Sequence, residues 1–532
     1  MARSFVSVDE TLKMKPNFLF IMADQLRADY LGCAGHPTIR TPNLDRLARD
    51  GVRFTNAFCQ SPVCGPSRMS FYTGRYMINH GSTYNNVPLR LCEPTLGDHL
   101  RALGYRVALV GKTHMKADHE GMKRLGIDPG SSLGVLVAQC GFEPYERDDG
   151  LHPDQAADPD LPYNRYLRAH GFDGANPWHE WANSAVDENG AIVSGWYMRN
   201  AHLPARVPEE HSETAYMTRR AMDFIREAGR DRPWCLHLSY IKPHWPYMAP
   251  APYHELYTAN DVVPPNRSEA ERQGAHPVVE AFRRHEESVN FTRDEVRNRV
   301  LPTYMGLTTQ IDDHLGRLFA FLEEQGLADN TIVVFTSDHG DFLGDHWLGE
   351  KEIMYEEALR IPMIVRLPGG ARGLVCDALV ESIDLAATFV ELAGGADLEH
   401  VLEGRSLVPW LRGESPSGWR DAVFSEMDYA WRPARTYLGV APDAARAFMV
   451  RTARWKYIRY VGFPPQLFDL WNDPAEQRDL GRDPGYAAVR AEMDERLLEW
   501  LARRRTRITI SNATVASLTG TARRRGYIFG AW

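Results

Sequence analysis

The chain has no apolar stretch approaching the roughly 18 residues of a membrane-crossing helix. A run such as "NFLFIMA" (17–23) is only strand-sized. It passes straight into "DQLRADY" with no small-residue cleavage site, so no secretory signal is read there; no membrane partner and a cytoplasmic location are the expectations. Cysteine is scarce: seven in 532 residues, scattered and odd in number, which excludes a disulfide framework as the source of stability. Six of them, Cys33, Cys59, Cys92, Cys140, Cys235 and Cys376, read as core residues. Positive charge is not in excess either. With 61 Lys+Arg against 70 Asp+Glu the net charge is -9, which argues against nucleic acid as a partner. No internal repeat and no low-complexity tract interrupts the chain.

What is present is an alternation of short apolar runs with amphipathic stretches, in a chain long enough for about two to four domains. Predicted strands are "NFLFIMA", "YRVALVG" (105–111), "WCLHLSYI" (234–241) and "TIVVFTS" (331–337). Between them the spacing predicts helices over 41–51 with Thr41 as N-cap, over 95–104, within 212–229, and over 303–326. This is the pattern of an α/β fold, a large mostly parallel sheet flanked by helices. The stretches 116–165 and 255–290 are polar and turn-rich and read as loops. Beyond about 405 a hairpin over 447–460 and a helix over 485–504 predict a smaller antiparallel sheet with one helix. The expected division is 1–404, 405–505 and a C-terminal arm, 506–532, either disordered or at an oligomer interface.

In such sheets ligands bind beyond the carboxyl ends of the strands. The four predicted strands are followed by Asp24 and Gln25, by Lys112, Thr113 and His114, by Lys242 and His244, and by Asp338, His339 and Asp341. Oxygen ligands from Asp24, Gln25 and Asp338 with an imidazole from His339 suit a divalent cation. "CGPSR" (64–68) places Cys64 at the mouth of a helix that Pro66 would start, beside Arg68. Taken alone, this reads either as a nucleophile or anion site or as a buried structural cysteine. Together with a metal and cationic side chains it points to a tetrahedral oxyanion as substrate.

"CGPSR" followed by "TGR" (73–75) resembles the sulfatase signature Cys-x-Pro-Ser-Arg. Residues 24–58 resemble that family's first segment, 336–365 its second metal segment, and "FDLWNDPAEQRDL" (468–480) its C-terminal marker. The resemblance spans about 16–500 and is to the formylglycine sulfatases of the alkaline phosphatase superfamily. It implies that Cys64 is oxidised to formylglycine by a formylglycine-generating enzyme that reads Pro66 and Arg68, and that the hydrated aldehyde is the nucleophile. It implies further that Asp24, Gln25, Asp338, His339 and residue 64 hold one divalent metal, Ca²⁺ or Mn²⁺, and that Arg68 holds the diol. By the same resemblance Lys112 and Lys351 contact the substrate oxyanion, His244 is the leaving-group acid, and His114 is the base that restores the aldehyde. His346 in "GDHW" reads as structural. A homodimer or homotetramer is expected.

Two features of the resemblance pull apart. "DQ" at 24–25, "DH" at 338–339 and "YNNVPL" (84–89), with Asn85 as a substrate contact, resemble phosphonate monoester hydrolases. Lys-x-His at 112–114 resembles arylsulfatases. The expected function is hydrolysis of sulfate monoesters, chiefly aryl sulfates, with promiscuity toward phosphonate monoesters and phosphodiesters; the alternative is a phosphonate monoester hydrolase using the same site. A scaffold that had lost the chemistry would show gaps among ligands and nucleophile, and none is seen. A plain phosphodiesterase would carry Thr or Ser at position 64.

Overall fold

The computed structural model describes residues 15–532 apart from 159, 529 and 531. The main sheet is built from β1 (Asn17–Asp24), β2 (Val52–Phe58), β3 (Arg106–Gly111), β4 (Glu143–Arg147), β7 (Trp234–Pro243), β8 (Thr331–Ser337), β9 (Arg360–Arg366) and β10 (Leu374–Glu381). A two-stranded ribbon, β5 (Ser184–Val186) and β6 (Ile192–Ser194), lies apart from it. The order is β10-β2-β9-β8-β1-β7-β3-β4, and every pairing is parallel except the two made by β9.

Strand β1 is the centre of this arrangement, and its sequence explains why. Phe18, Phe20 and Met22 pack into one core cluster, Leu19, Ile21 and Ala23 into another, so the strand is buried on both faces by a continuous apolar run. The cores are covered by helices such as Glu213–Ala228 and Asp294–Glu324 on one face and Asp384–Leu392 on the other.

The second sheet is antiparallel: β11 (Ala422–Asp428), β12 (Arg446–Thr452), β13 (Trp455–Tyr460) and β14 (Gln466–Asp469), in that order. Its Val423, Met449 and Ile458 join the core cluster of Phe18 and Phe20. Its other face packs Val450, Tyr457 and Leu467 against Met493, Leu497 and Trp500 of helix Ala487–Ala502.

Several expectations are corrected. The stretch 116–165 is not simply loop: it contains helices His119–Leu125, Ser132–Val137 and Pro162–Ala169 and the edge strand β4. The sequence "EPYER" conceals that strand because Pro144 lacks a ladder donor, which only an edge tolerates. Likewise 255–290 holds helices Pro277–Arg283 and Glu286–Phe291, the latter ending one residue beyond it. The long helix begins at Asp294, not 303, with Pro302 inside it and Asp294 and Glu295 in its first turn. Thr41 precedes helix Pro42–Arg49 but makes no cap bond; its hydroxyl accepts from Gly32 N instead. Cys92 is exposed and Cys33 partly so, while the other five cysteines are buried; all seven are free. Within 506–532, Asn512–Leu518 forms an exposed helix. No described helix is long and apolar enough to cross a membrane.

Candidate functional site

The carboxyl end of β1 delivers Asp24 and Gln25 between β7 and β8. A register shift between Ala23 and Asp24 re-aims the carboxylate, and Gln25 takes a left-handed φ of 64°. At the end of β3, His114 has φ 53°. Two non-glycine residues held in this conformation at the ends of β1 and β3, with β7 between them, are strain that the surroundings must compensate.

Cys64 is the first residue of helix Cys64–Thr73, and Gly65 follows because nothing larger fits. A Cβ there would lie 2.8 Å from Asn85 Oδ1 and 3.0 Å from Asn85 Cα. The Cys64 Sγ stands 3.0 Å from His339 Nε2 and 3.8 Å from Asp24 Oδ1. Ligand atoms of Asp24, Cys64, Asp338 and His339 all lie within 4.8 Å of one another, and these residues are at most 1% exposed.

This donor set fits a divalent cation. His339 Nδ1–H donates to Gly340 O at 2.8 Å, so the Nε2 lone pair faces the cluster. Burial works against the imidazolium, yet Asp338 and Cys64 raise its pKa. The Gln25 carboxamide sits beside the cluster and is bonded on both sides. Its Oε1 accepts from Lys351 Nζ at 2.6 Å and its Nε2 donates to Asp341 Oδ2 at 2.5 Å, so its oxygen is committed elsewhere. Its backbone N–H donates to Asp338 Oδ1 at 3.0 Å.

Arg68 is fully buried and ties β1, β3, β7 and β8 together. Nε donates to Asp338 Oδ2 at 2.8 Å, and NH1 to Lys112 O at 2.8 Å and Ser239 Oγ at 2.7 Å. NH2 contacts Asp24 Oδ2 at 3.3 Å and is its one nitrogen without a hydrogen bond among the described residues. The close approach of β3 to β7 beside it needs Gly111, with φ 104°, since a Cβ there would strike Ser239 O.

Lys112 Nζ pairs with Asp24 Oδ2. Lys351 Nζ lies 3.4 Å from His244 Nε2. Because Lys112 follows β3 and Lys351 follows β8, the two ammonium groups reach the end of β1 from opposite sides. Burial alone would raise the Cys64 thiol, but Lys351, Lys112 and His339 hold it well below its ordinary value. Asp24, despite burial and Cys64, is held low by Lys112, His244 and Arg68.

His244 Nδ1–H donates to Trp245 O at 2.6 Å, leaving Nε2 to accept from Lys351. Burial, then Lys351, pushes its pKa down to about 4, so the free imidazole is neutral at pH 7. His114 Nδ1 is buried without a hydrogen-bond partner among the described residues. Its backbone N–H and that of Thr113 both donate to Asp149 Oδ1, at 3.0 and 3.1 Å.

Lys242, by contrast, is spent away from this cluster on Pro246 O and Asn183 Oδ1. His346 stacks on Tyr355 and bonds Glu271, a structural position as expected. Sequence reasoning missed Ser239, Asp149 and Glu352. Ser239 sits inside a predicted strand, and the other two become relevant only through contacts 36 and 268 residues distant in the chain.

Comparison with known proteins agrees with this geometry. The sulfatase family model matches residues 16–396, and that of the N-sulphoglucosamine sulphohydrolase C-terminal region matches 344–503. The multifunctional alkaline phosphatase superfamily protein PehA of Trinickia caryophylli is 34% identical over 518 residues, covering 91% of this chain and 95% of that one. An arylsulfatase of Clostridium perfringens is 28% identical, covering 88% and 90%. Among solved structures, the phosphonate monoester hydrolase SpPMH from Silicibacter pomeroyi superposes with a TM-score of 0.81 at 30% identity, over 94% of this chain and 98% of that one. The eight-stranded sheet, the cluster at its carboxyl edge and a family match over most of the chain lead to one conclusion: this chain belongs to the sulfatase family of the alkaline phosphatase superfamily, and is a hydrolase.

Proposed function

We propose that the protein hydrolyses sulfate monoesters, aryl sulfates above all, with residue 64 as nucleophile after oxidation to formylglycine. The observation that carries this reading is the pair Lys112 and Lys351, which flank the end of β1 beside residue 64. A sulfate monoester has three peripheral oxygens; two ammonium groups and one divalent cation provide a positive partner for each. Asp24, Asp338, His339 and residue 64 would hold that cation, with the Gln25 carboxamide turning from Lys351 to join them. An imidazole among oxygen donors favours Mn²⁺ over Ca²⁺. When bound, the metal supplies Lewis-acid stabilisation of charge on oxygen.

The chain's own groups do the rest. Arg68 NH2 orients the oxygens of residue 64, and His114 Nδ1 takes up the proton whose removal restores the aldehyde. His244 Nε2 protonates the departing oxygen. Because the free imidazole is neutral above about pH 4, it takes a proton from solvent when the anionic substrate binds beside it, and kcat/KM for alkyl sulfates rises as the pH falls. His244→Ala should therefore lower kcat/KM for an alkyl sulfate by roughly 10²–10⁴-fold. For 4-nitrophenyl sulfate, whose leaving group needs no proton, the loss stays within about tenfold; equal losses for the two esters would remove His244 from this role.

A second reading, hydrolysis of phosphonate monoesters and with them phosphodiesters, is favoured by the likeness to the phosphonate monoester hydrolase SpPMH. Such substrates have two free oxygens, so Lys112 matters less to them. Lys112→Ala should cost an aryl sulfate on the order of 100-fold in kcat/KM and an aryl phosphonate monoester about tenfold or less. If wild-type protein prefers the phosphonate and the variant loses both activities alike, the second reading replaces the first. Maturation by a formylglycine-generating enzyme, a homodimer or homotetramer and an interface role for 506–532 belong to the same proposal; a monomeric mass by light scattering would contradict the assembly.

A further inference from the structure

Outside the nucleophile and cation cluster, one aromatic pair has no part in the chemistry described above. The Tyr84 and Trp431 rings are nearly parallel, 14° apart in plane, with centroids 6.1 Å apart. Tyr84 is almost wholly buried, whereas Trp431 is 55% exposed, so one face of the indole is open to a ligand. The two come from different parts of the fold. Tyr84 precedes Asn85, whose Oδ1 accepts from Gly65 N at 2.8 Å beside residue 64. Trp431 lies just past β11 of the small sheet.

Both are fastened to the catalytic loop through one carboxylate. Tyr84 OH donates to Glu352 Oε1 at 2.8 Å, and Arg432 Nε pairs with Glu352 Oε2 at 2.5 Å. Arg432 is held in turn by Glu287 Oε1 at 2.5 Å and His285 Nδ1 at 3.1 Å. Glu352 is 4% exposed, sits at φ 91°, and immediately follows Lys351. A strained, buried carboxylate thus sets the indole relative to the residues that face the ester oxygens.

We propose that Trp431, backed by Tyr84, is the specificity-determining wall for the leaving group, and that it selects flat aromatic alcohols over alkyl ones. The inference rests on the ester-hydrolase reading above and adds where its aryl preference resides. An exposed indole face packed on Tyr84, one residue before the Asn85 that bonds Gly65 N, offers an aromatic ring offset stacking and area burial that an alkyl chain cannot match. Arg432 and Glu352 act as positioning residues for it.

The test pairs turnover with a binding measurement that needs none. Trp431→Ala should raise KM for 4-nitrophenyl sulfate by about tenfold with little change in kcat, leave a short alkyl sulfate unaffected, and abolish 4-nitrophenol binding seen by calorimetry in the wild type. Trp431→Phe should restore most of both. An equal effect on aryl and alkyl esters, or 4-nitrophenol binding unchanged in Trp431→Ala or absent from the wild type, would overturn the proposal. If the wild type hydrolyses neither ester, the functional reading fails and the calorimetry alone decides this one.

Discussion

Cys64→Ala is expected to lose turnover of every ester by roughly 10⁴-fold or more while keeping its fold. The side chain is 1% exposed, but it is small, and alanine leaves the helix Cys64–Thr73, whose first residue it replaces, unaltered. No other cysteine can stand in: Cys59, the nearest in sequence, has its thiol pushed well up by burial and then by Asp338, and its Sγ contacts Ala358 O rather than the cluster. The measurement is kcat for an aryl sulfate and an aryl phosphonate monoester, with far-UV circular dichroism and a melting curve on the same preparation. Activity within tenfold of wild type would overturn the mechanism, since Lys112, Lys351 and His244 remain in place and would then be sufficient without residue 64.

Asp338→Asn is expected to cost on the order of 10³-fold in kcat/KM and to lower the divalent metal retained per chain. Asp338→Ala should in addition destabilise the protein by about 3 kcal/mol. The two replacements separate two duties. Asp338 Oδ1 accepts from Gln25 N and His339 N at 3.0 Å each, and Oδ2 accepts from Arg68 Nε at 2.8 Å. Asparagine can keep part of that bonding but not the charge. Alanine leaves two buried backbone donors and a buried guanidinium short of partners, only partly offset by Asp24 at 3.3 Å from Arg68 NH2. Equal metal content in wild type and Asp338→Asn would show that Asp338 orients Arg68 and does not ligate.

Much of this site could be read along the chain because doubly wound sheets put chemistry where strands end. Asp24, Lys112, His244 and Asp338 each follow, or close, an apolar run that the periodicity identifies as a strand. β1 was equally legible as a strand in "NFLFIMA", while its central position came only from the sheet order. What could not be read depends on contacts between distant segments. Glu352 becomes important only when Tyr84 and Arg432 converge on it. The commitment of Gln25 Oε1 to Lys351 is a contact across 326 residues. β4 was hidden for a local reason, its proline, and the start of the long helix for the mirror-image reason, that a proline inside a helix reads as its beginning. The polar stretches taken for loops hold short helices whose apolar contacts, Val278, Val279 and Phe282 among them, are made with the core of the main sheet rather than within the stretch.

The most direct test of the account is the mass of the tryptic peptide 54–68, bounded by Arg53 and Arg68, after thiol alkylation, measured beside activity across preparations of different maturity. This peptide carries both Cys59 and Cys64, so Cys59 serves as an internal standard. The account predicts one alkylated thiol and one carbonyl in the active fraction, with kcat per chain proportional to the fraction converted at residue 64. Full activity in a preparation whose peptide carries two alkylated thiols would contradict it.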